Sequence, residues 1–230
     1  MPIDTHFPRR TLLALFAGAG TYALITPRVA LAGPVAADEI ADRVQKFYDS
    51  TKTFQAKFKQ TFVIKAQGTR KDSTGDVSFE KPGKMSFTYD APNGNRVTSD
   101  GKIIRVYEKD AEQMYESAVQ KSQYPAALAF LMGDGKLKKD FSLKLLDASA
   151  MKFEGGYVIE CTPKELTPAY QKMLLYVDSQ TNQVRRVLIL DAQGNRNRFD
   201  FKDPVVNKAI KEGTFDFTPP KGSSTPPPAP

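Results

Sequence analysis

The chain has 230 residues, 40% of them hydrophobic, which is enough for one large domain or two small ones with a sizeable core. Its formal charge of +7 is scattered in short clusters such as Lys138-Lys139 and Arg185-Arg186, without the long basic stripe that tracks phosphates, so no nucleic-acid partner is expected. One histidine, His6, and one cysteine, Cys161, rule out zinc sites built on His and Cys, Ser-His-Asp triads and intrachain disulfides.

In chain order, Arg9-Arg10 precedes an apolar stretch from Leu12 to Ile25, and Ala30-Leu31-Ala32 comes after it. A positive n-region, an h-region and small residues at a cleavage site read as a signal peptide over residues 1–32. The arginine pair also resembles a twin-arginine export signal, which leaves the expected destination, the periplasm, unchanged. From Asp38 to Ser50, apolar Ile40, Val44, Phe47 and Tyr48 recur at helical spacing, with Asp38 as the expected N-cap.

The period then changes to two. Phe54, Ala56, Phe58, Gln60, Phe62 and Ile64 share one face of a long strand, and a polar turn is expected over Gly68 to Gly75. Short strands follow at Val77–Phe79, Met85–Tyr89, Arg96–Ser99, Ile103–Tyr107 and Gln113–Glu116. Pro82-Gly83, Pro92-Asn93-Gly94 and Asp100-Gly101 punctuate them, as in an antiparallel meander. A short, very apolar helix from Pro125 to Met132 interrupts this, with Leu128, Leu131 and Met132 on one side. The strand period returns at Phe141–Leu145, Tyr157–Cys161, Leu174–Tyr176, Val187–Ile189 and Phe199–Phe201. A helical turn is expected at Val205–Ile210 and a last strand at Phe215–Phe217. The Pro-rich tail, residues 223–230, reads as disordered or extended.

About eleven strands with two or three helices and no βαβ rhythm predict an α+β domain. A long antiparallel sheet curls as strand twist accumulates, giving an incompletely closed barrel with a helical lid. The chain holds 15 Phe and 9 Tyr without Trp, mostly on apolar strand faces. Such a face is either an ordinary barrel core or the wall of a hydrophobic cavity, and composition does not separate the two. No G-x-S-x-G elbow, H-E-x-x-H or phosphate loop is present, so the chain is not read as an enzyme, and no cofactor or metal is expected. Cys161 alternates with Ile159 and Tyr157 and reads as a buried thiol.

A set of short words in order carries a resemblance. They are Val44-Gln45-Lys46-Phe47-Tyr48, Thr53 through Gln60, Gly75-Asp76-Val77, Lys81 through Phe87, Ser99-Asp100-Gly101-Lys102, Tyr124-Pro125, Thr162-Pro163-Lys164, Asn195-Arg196 and Phe215 through Gly222. Together they resemble the LolA family of lipoprotein carriers, with residues 33–222 as the carrier domain. The resemblance implies a monomer that binds the acyl chains of lipoproteins. It would receive them from an inner-membrane Lol-type ABC transporter and pass them to an outer-membrane LolB-type acceptor where one exists. A carrier of another lipid, or a lipid- or protein-sensing domain on the same scaffold, remains the alternative.

The resemblance also implies a site. Lys81 stands where the family has a lid-closing arginine before proline, keeping the charge but losing the planar fork of donors. The expected cavity lining is Val44, Phe47, Phe54, Phe58, Met85, Phe87, Leu128, Leu131 and Met132, with Tyr48 as the alternative to Phe47.

Overall fold

The structure, a computed structural model, describes residues 35–119, 135–167 and 169–226. The expected signal peptide and the short helix carrying Leu128, Leu131 and Met132 lie outside the described residues.

Helix α1 spans Ala37–Ser50. It buries Ile40, Ala41, Val44 and Tyr48, a single stripe at positions i, i+1, i+4 and i+8. Asp38 is not its N-cap. The helix starts one residue earlier, Ala36 takes the cap position, and Asp38 and Glu39 sit in the first turn, where the helix dipole favours acidic side chains. Thr51 ends the helix in extended conformation, its side-chain hydroxyl donating to the Phe47 carbonyl at 2.9 Å.

Eleven strands come next, all antiparallel to their neighbours. They are β1 Thr53–Ile64, β2 Thr69–Glu80, β3 Lys84–Tyr89, β4 Arg96–Asp100, β5 Ile103–Glu108 and β6 Gln113–Ala118. After the one-turn helix α2, Leu137–Asp140, come β7 Phe141–Leu146, β8 Gly156–Pro163, β9 Lys172–Asp178, β10 Val184–Leu190 and β11 Arg196–Val206. The sheet order is β6-β5-β4-β3-β2-β1-β11-β10-β9-β8-β7. The first and last strands therefore meet in the middle, and each half of the sheet is a meander running outward from that seam. Among the described residues β6 and β7 do not pair with each other, so the curled sheet stays an incompletely closed barrel. Its concave face and the buried stripe of α1 form one continuous core.

Three local expectations are corrected. The turn placed at Gly68 to Gly75 is confined to the residues before Thr69, because β2 pairs with β1 in unbroken register from Ile64–Thr69 to Thr53–Glu80. Arg70, Lys71 and Asp72 show no alternation because all three are exposed, and pairing alone makes them strand. The helical turn at Val205–Ile210 is absent. Val205 and Val206 extend β11 against Gln55 and Phe54, and Asn207, at φ +55°, then turns the chain. Phe215–Phe217 is not a strand either.

Those two rings lie on the opposite face of the sheet from the core. Val97 pairs with Val106 toward the core, so Arg96, Tyr107 and Met114 point to the convex side. There Phe217 packs 5.4 Å from the Tyr107 ring and 5.9 Å from the Arg96 guanidinium, and Lys84 sits 5.6 Å from the Phe215 ring. Farther along, Ser224 forms an isolated parallel bridge beside Gln113. It donates to the Glu112 carbonyl at 3.0 Å and accepts from the Met114 N–H at 2.9 Å. The segment after β11 is thus a strap across β3 to β6, and the tail opens with a bonded residue before its prolines.

Gly75 is a requirement of the barrel's interior. It pairs with Phe58 and Tyr89, and a Cβ there would lie 2.0 Å from the Thr88 carbonyl oxygen and 2.9 Å from the Phe58 ring. Backbone cannot yield as a flexible side chain can, so Gly75→Ala is expected to cost ~3 kcal/mol or more of unfolding free energy. Urea unfolding checks this, and an unchanged midpoint would contradict the packing described here.

Candidate functional site

The candidate site is the aromatic floor beneath α1. Alternation on β1 turns Phe54 and Phe58 inward, and register aligns them with Phe79 and Gly75 of β2 and with Val206 and Phe201 of β11. Phe87 of β3 lies opposite Val77, one strand farther out. The rings meet mainly edge-on: Phe58–Phe87 at 5.2 Å, Phe58–Tyr89 at 5.0 Å, Phe79–Phe87 at 5.8 Å and Phe54–Phe201 at 5.9 Å. Phe199 joins Phe58 at 6.2 Å and Phe87 at 5.8 Å. Each such pair adds roughly 0.5–1.5 kcal/mol beyond its buried area. Phe54, Phe58, Met85 and Phe87 are each 2% exposed or less.

Val44, fully buried, belongs to the same core as this floor. Phe47 does not share that place. It is half-buried at the flank and packs edge-on, 5.0 Å, against Tyr48, which takes the inward position. Among the residues expected from the sequence, Val44, Phe54, Phe58, Met85 and Phe87 are thus brought together, with Phe47 beside them. Sequence reasoning offered Tyr48 only as the alternative to Phe47, and missed Ile40, Phe79, Phe199 and Phe201 as members. Their alternation was visible, but the adjacency of β11 to β1 was not.

Two contacts hold the C-terminal end of α1, one to each half of the sheet. From the β2–β3 loop, the Lys81 ammonium donates to the Tyr48 carbonyl. From β10, the Val184 N–H donates to the Tyr48 phenol oxygen at 3.1 Å, in buried surroundings. Burial pushes the Tyr48 phenol well above its usual range, and the Val184 N–H pulls it the other way. The chain leaving the helix is tied as well. Asn207 Oδ1 accepts from the Lys52 N–H at 2.7 Å, and the Lys81 N–H donates to the Lys52 carbonyl at 2.9 Å.

Along its flank α1 is held differently. Gln45 bridges to the Gly135 carbonyl at 3.3 Å and accepts from the Leu137 N–H at 3.0 Å. Lys136–Asp49 at 3.0 Å and Lys138–Asp42 at 2.9 Å are solvated ion pairs, each worth no more than ~1 kcal/mol. Hydrogen bonds from Gln45 and then Lys136 hold the Asp49 carboxyl below its ordinary range. The apolar face of α1 thus shares one core with the rings, and its polar contacts lie at its C-terminal end and along one flank.

Cys161 faces the same core, fully buried, and burial with Glu160 nearby pushes its thiol up to about 12. Among the described residues no group of three His, Cys, Asp or Glu side chains comes together to hold a metal.

A family model described as "Outer membrane lipoprotein carrier protein LolA" matches residues 49–218. A protein named outer-membrane lipoprotein carrier protein from Nitrosomonas europaea is 28% identical over 189 residues, covering 82% of this chain and 89% of its own. One of the same name from Methylibium petroleiphilum is 29% identical over 193 residues, covering 84% and 91%. Among solved structures, an uncharacterized conserved protein from Thermus thermophilus superposes with a TM-score of 0.50 at 14% identity, covering 83% of this chain and 98% of that one. That last likeness is one of fold.

Two measurements test the geometry. Tyr48→Phe leaves the buried Val184 N–H without its acceptor and is expected to lower the unfolding free energy by ~1–3 kcal/mol in urea at neutral pH. Equal stability of the two proteins would remove the phenol from the attachment. The raised Cys161 thiol contributes stability that is present in full below the pKa of an unfolded thiol. It is lost as pH climbs toward about 12. Unfolding free energy is therefore expected to fall above pH ~9, by up to ~1.4 kcal/mol per unit from this group, and less steeply in Cys161→Ala. Parallel slopes would show that the thiol is not buried as described.

Proposed function

The chain belongs to the LolA family of outer membrane lipoprotein carrier proteins, and on that premise we propose that it shields the acyl chains of lipoproteins in the periplasm. It receives them from an inner-membrane Lol-type ABC transporter and yields them to an outer-membrane LolB-type acceptor. No bond is made or broken in the cargo. The protein's task is to offer fatty chains an apolar surface in water and to give it up again.

The observation that carries this reading is the aromatic floor of an incompletely closed barrel, which shares one apolar core with the buried stripe of α1. At ~0.8 kcal/mol per buried CH₂, two or three fatty chains are worth tens of kcal/mol in a bilayer, so unaided passage through water is far too slow. Rings that already pack on a removable helix exchange one apolar partner for another when cargo enters. The net free energy of that exchange is small, which allows both loading and release.

Lys81 sets the balance. A lysine offers the Tyr48 carbonyl a point charge on a flexible stem, where an arginine would offer a fork. The lid is thus held by a contact that can be remade easily, and Phe87, at the centre of the floor, lies where the acyl chains would rest. Leu128, Leu131 and Met132 are proposed to complete the lid.

The test uses inner-membrane vesicles that contain the transporter and an acylated lipoprotein, with soluble lipoprotein as the readout. Phe87→Glu is expected to reduce release by about tenfold or more, which corresponds to ~1.4 kcal/mol of lost affinity. Full release by a folded Phe87→Glu protein would contradict the assignment. Lys81→Ala is expected to bind an environment-sensitive apolar dye more strongly than the parent protein, because the closed form loses a contact. Unchanged dye binding would mean that Lys81 does not govern closure.

A further inference from the structure

Pairing between β10 and β11 runs from Leu190–Arg196 to Arg186–Asp200 and stops there. Beyond that point β11 stays with β1, with Phe201 opposite Phe58 and Lys202 opposite Lys57, while β10 stays with β9, with Val184 opposite Val177. A bulge in each ladder, between Gln55 and Lys57 and between Val184 and Arg186, marks the separation. Asp203 takes a positive φ of +50°, and Pro204 has no N–H to offer a neighbour. The two strands therefore splay, and a cleft of about 450 Å³ opens in the sheet between Val184-Arg185 and Phe201 to Pro204.

Three properties of this cleft belong together. Its floor includes Phe201, which packs on Phe54 at 5.9 Å, so the cleft adjoins the aromatic floor. Its rim is polar and of mixed sign, with Asp178, Arg185, Lys202 and Asp203. The Tyr48 phenol occupies the Val184 N–H just where the ladder to β11 has ended, so the lid helix itself supplies a partner to the opened strand. When α1 lifts, that N–H is released toward the cleft.

We propose that the β10–β11 cleft holds the extended peptide that follows the acylated residue of the cargo. This rests on the carrier reading above and adds a second subsite to it. A lipoprotein is greasy at one end and polar along its backbone, and it needs a passage that is apolar inside and hydrated outside. Beyond the end of its ladder with β11, β10 offers main-chain pairing once the Tyr48 phenol has left the Val184 N–H, and such pairing reads backbone and not side chains. A rim with both signs of charge penalises no particular linker sequence, which suits a carrier of many cargoes. The opposite end of the concave face is less suited. There Phe58 and Tyr89 meet at 5.0 Å, and the space at Tyr89 is smaller, about 180 Å³, lined by Gln60, Asn93 and Asn95 together with Phe62, Val97 and Val106.

Photo-crosslinking decides the matter. A benzophenone amino acid replaces Gln183 or Lys202 at the cleft, or Lys71 or Asn93 at the opposite end. Each protein is incubated with a synthetic tripalmitoylated cysteinyl peptide that bears a tag on its last residue, and uptake is followed separately by displacement of an apolar dye. The expected result is dye displacement by every variant, with a tagged adduct from positions 183 and 202 and none from positions 71 and 93. Dye displacement with adducts only from 71 or 93, or with none at all, overturns the cleft assignment and leaves the carrier reading standing. Absence of dye displacement by the lipopeptide overturns both.

Discussion

Hiding the phenylalanines of β1 without closing the barrel is the constraint on which the rest of this structure depends. Phe54 and Phe58 sit at the seam where the first and last strands meet, and Phe79, Phe87, Phe199 and Phe201 gather round them. A closed barrel would bury such a face with its own far wall. Here, among the described residues, β6 and β7 end the sheet without pairing with each other, and the buried stripe of α1 joins the core of the concave face. Burial of Ile40 and Val44 stabilises that arrangement by roughly 1.5–3 kcal/mol each, the ordinary worth of an aliphatic side chain taken out of water.

The distribution of polar contacts follows from this. If α1 were held by many buried hydrogen bonds, exchange would leave many orphaned groups, each at a cost of ~1–3 kcal/mol. Instead, contacts at Tyr48 anchor one end, and Gln45 hydrogen bonds with solvated ion pairs hold the flank. The strap after β11 complements them. Phe215 and Phe217 stack on Lys84 and Arg96, and Ser224 ties the chain to β6, so the half of the sheet that carries Phe87 is braced from outside.

Much of this was legible in the sequence where one physical signal dominated. The helical stripe of α1 and the alternation of β1 follow from burial on one side, and five of the expected floor and lid residues do converge. Where two signals competed, the sequence misled. Arg70 to Asp72 form strand by pairing and carry no pattern. Phe215-Asp216-Phe217 alternates like a strand, yet its rings serve cations on the convex face. Phe47 and Tyr48 both continue the helical spacing of Ile40 and Val44, and in the structure Tyr48 takes the buried place, its phenol oxygen accepting from the Val184 N–H. The cleft was beyond reach for a different reason, since it arises from where two ladders diverge, and β11 lies more than a hundred residues from its partner β1.

Hydrogen–deuterium exchange on the protein with and without a tripalmitoylated cysteinyl peptide tests most directly whether cargo and α1 compete for one surface. The account predicts that binding speeds amide exchange across the last two turns of α1 and at Val184, whose partner is lost, and leaves β1 and β11 protected. Tight binding with α1 as protected as in the free protein would contradict it.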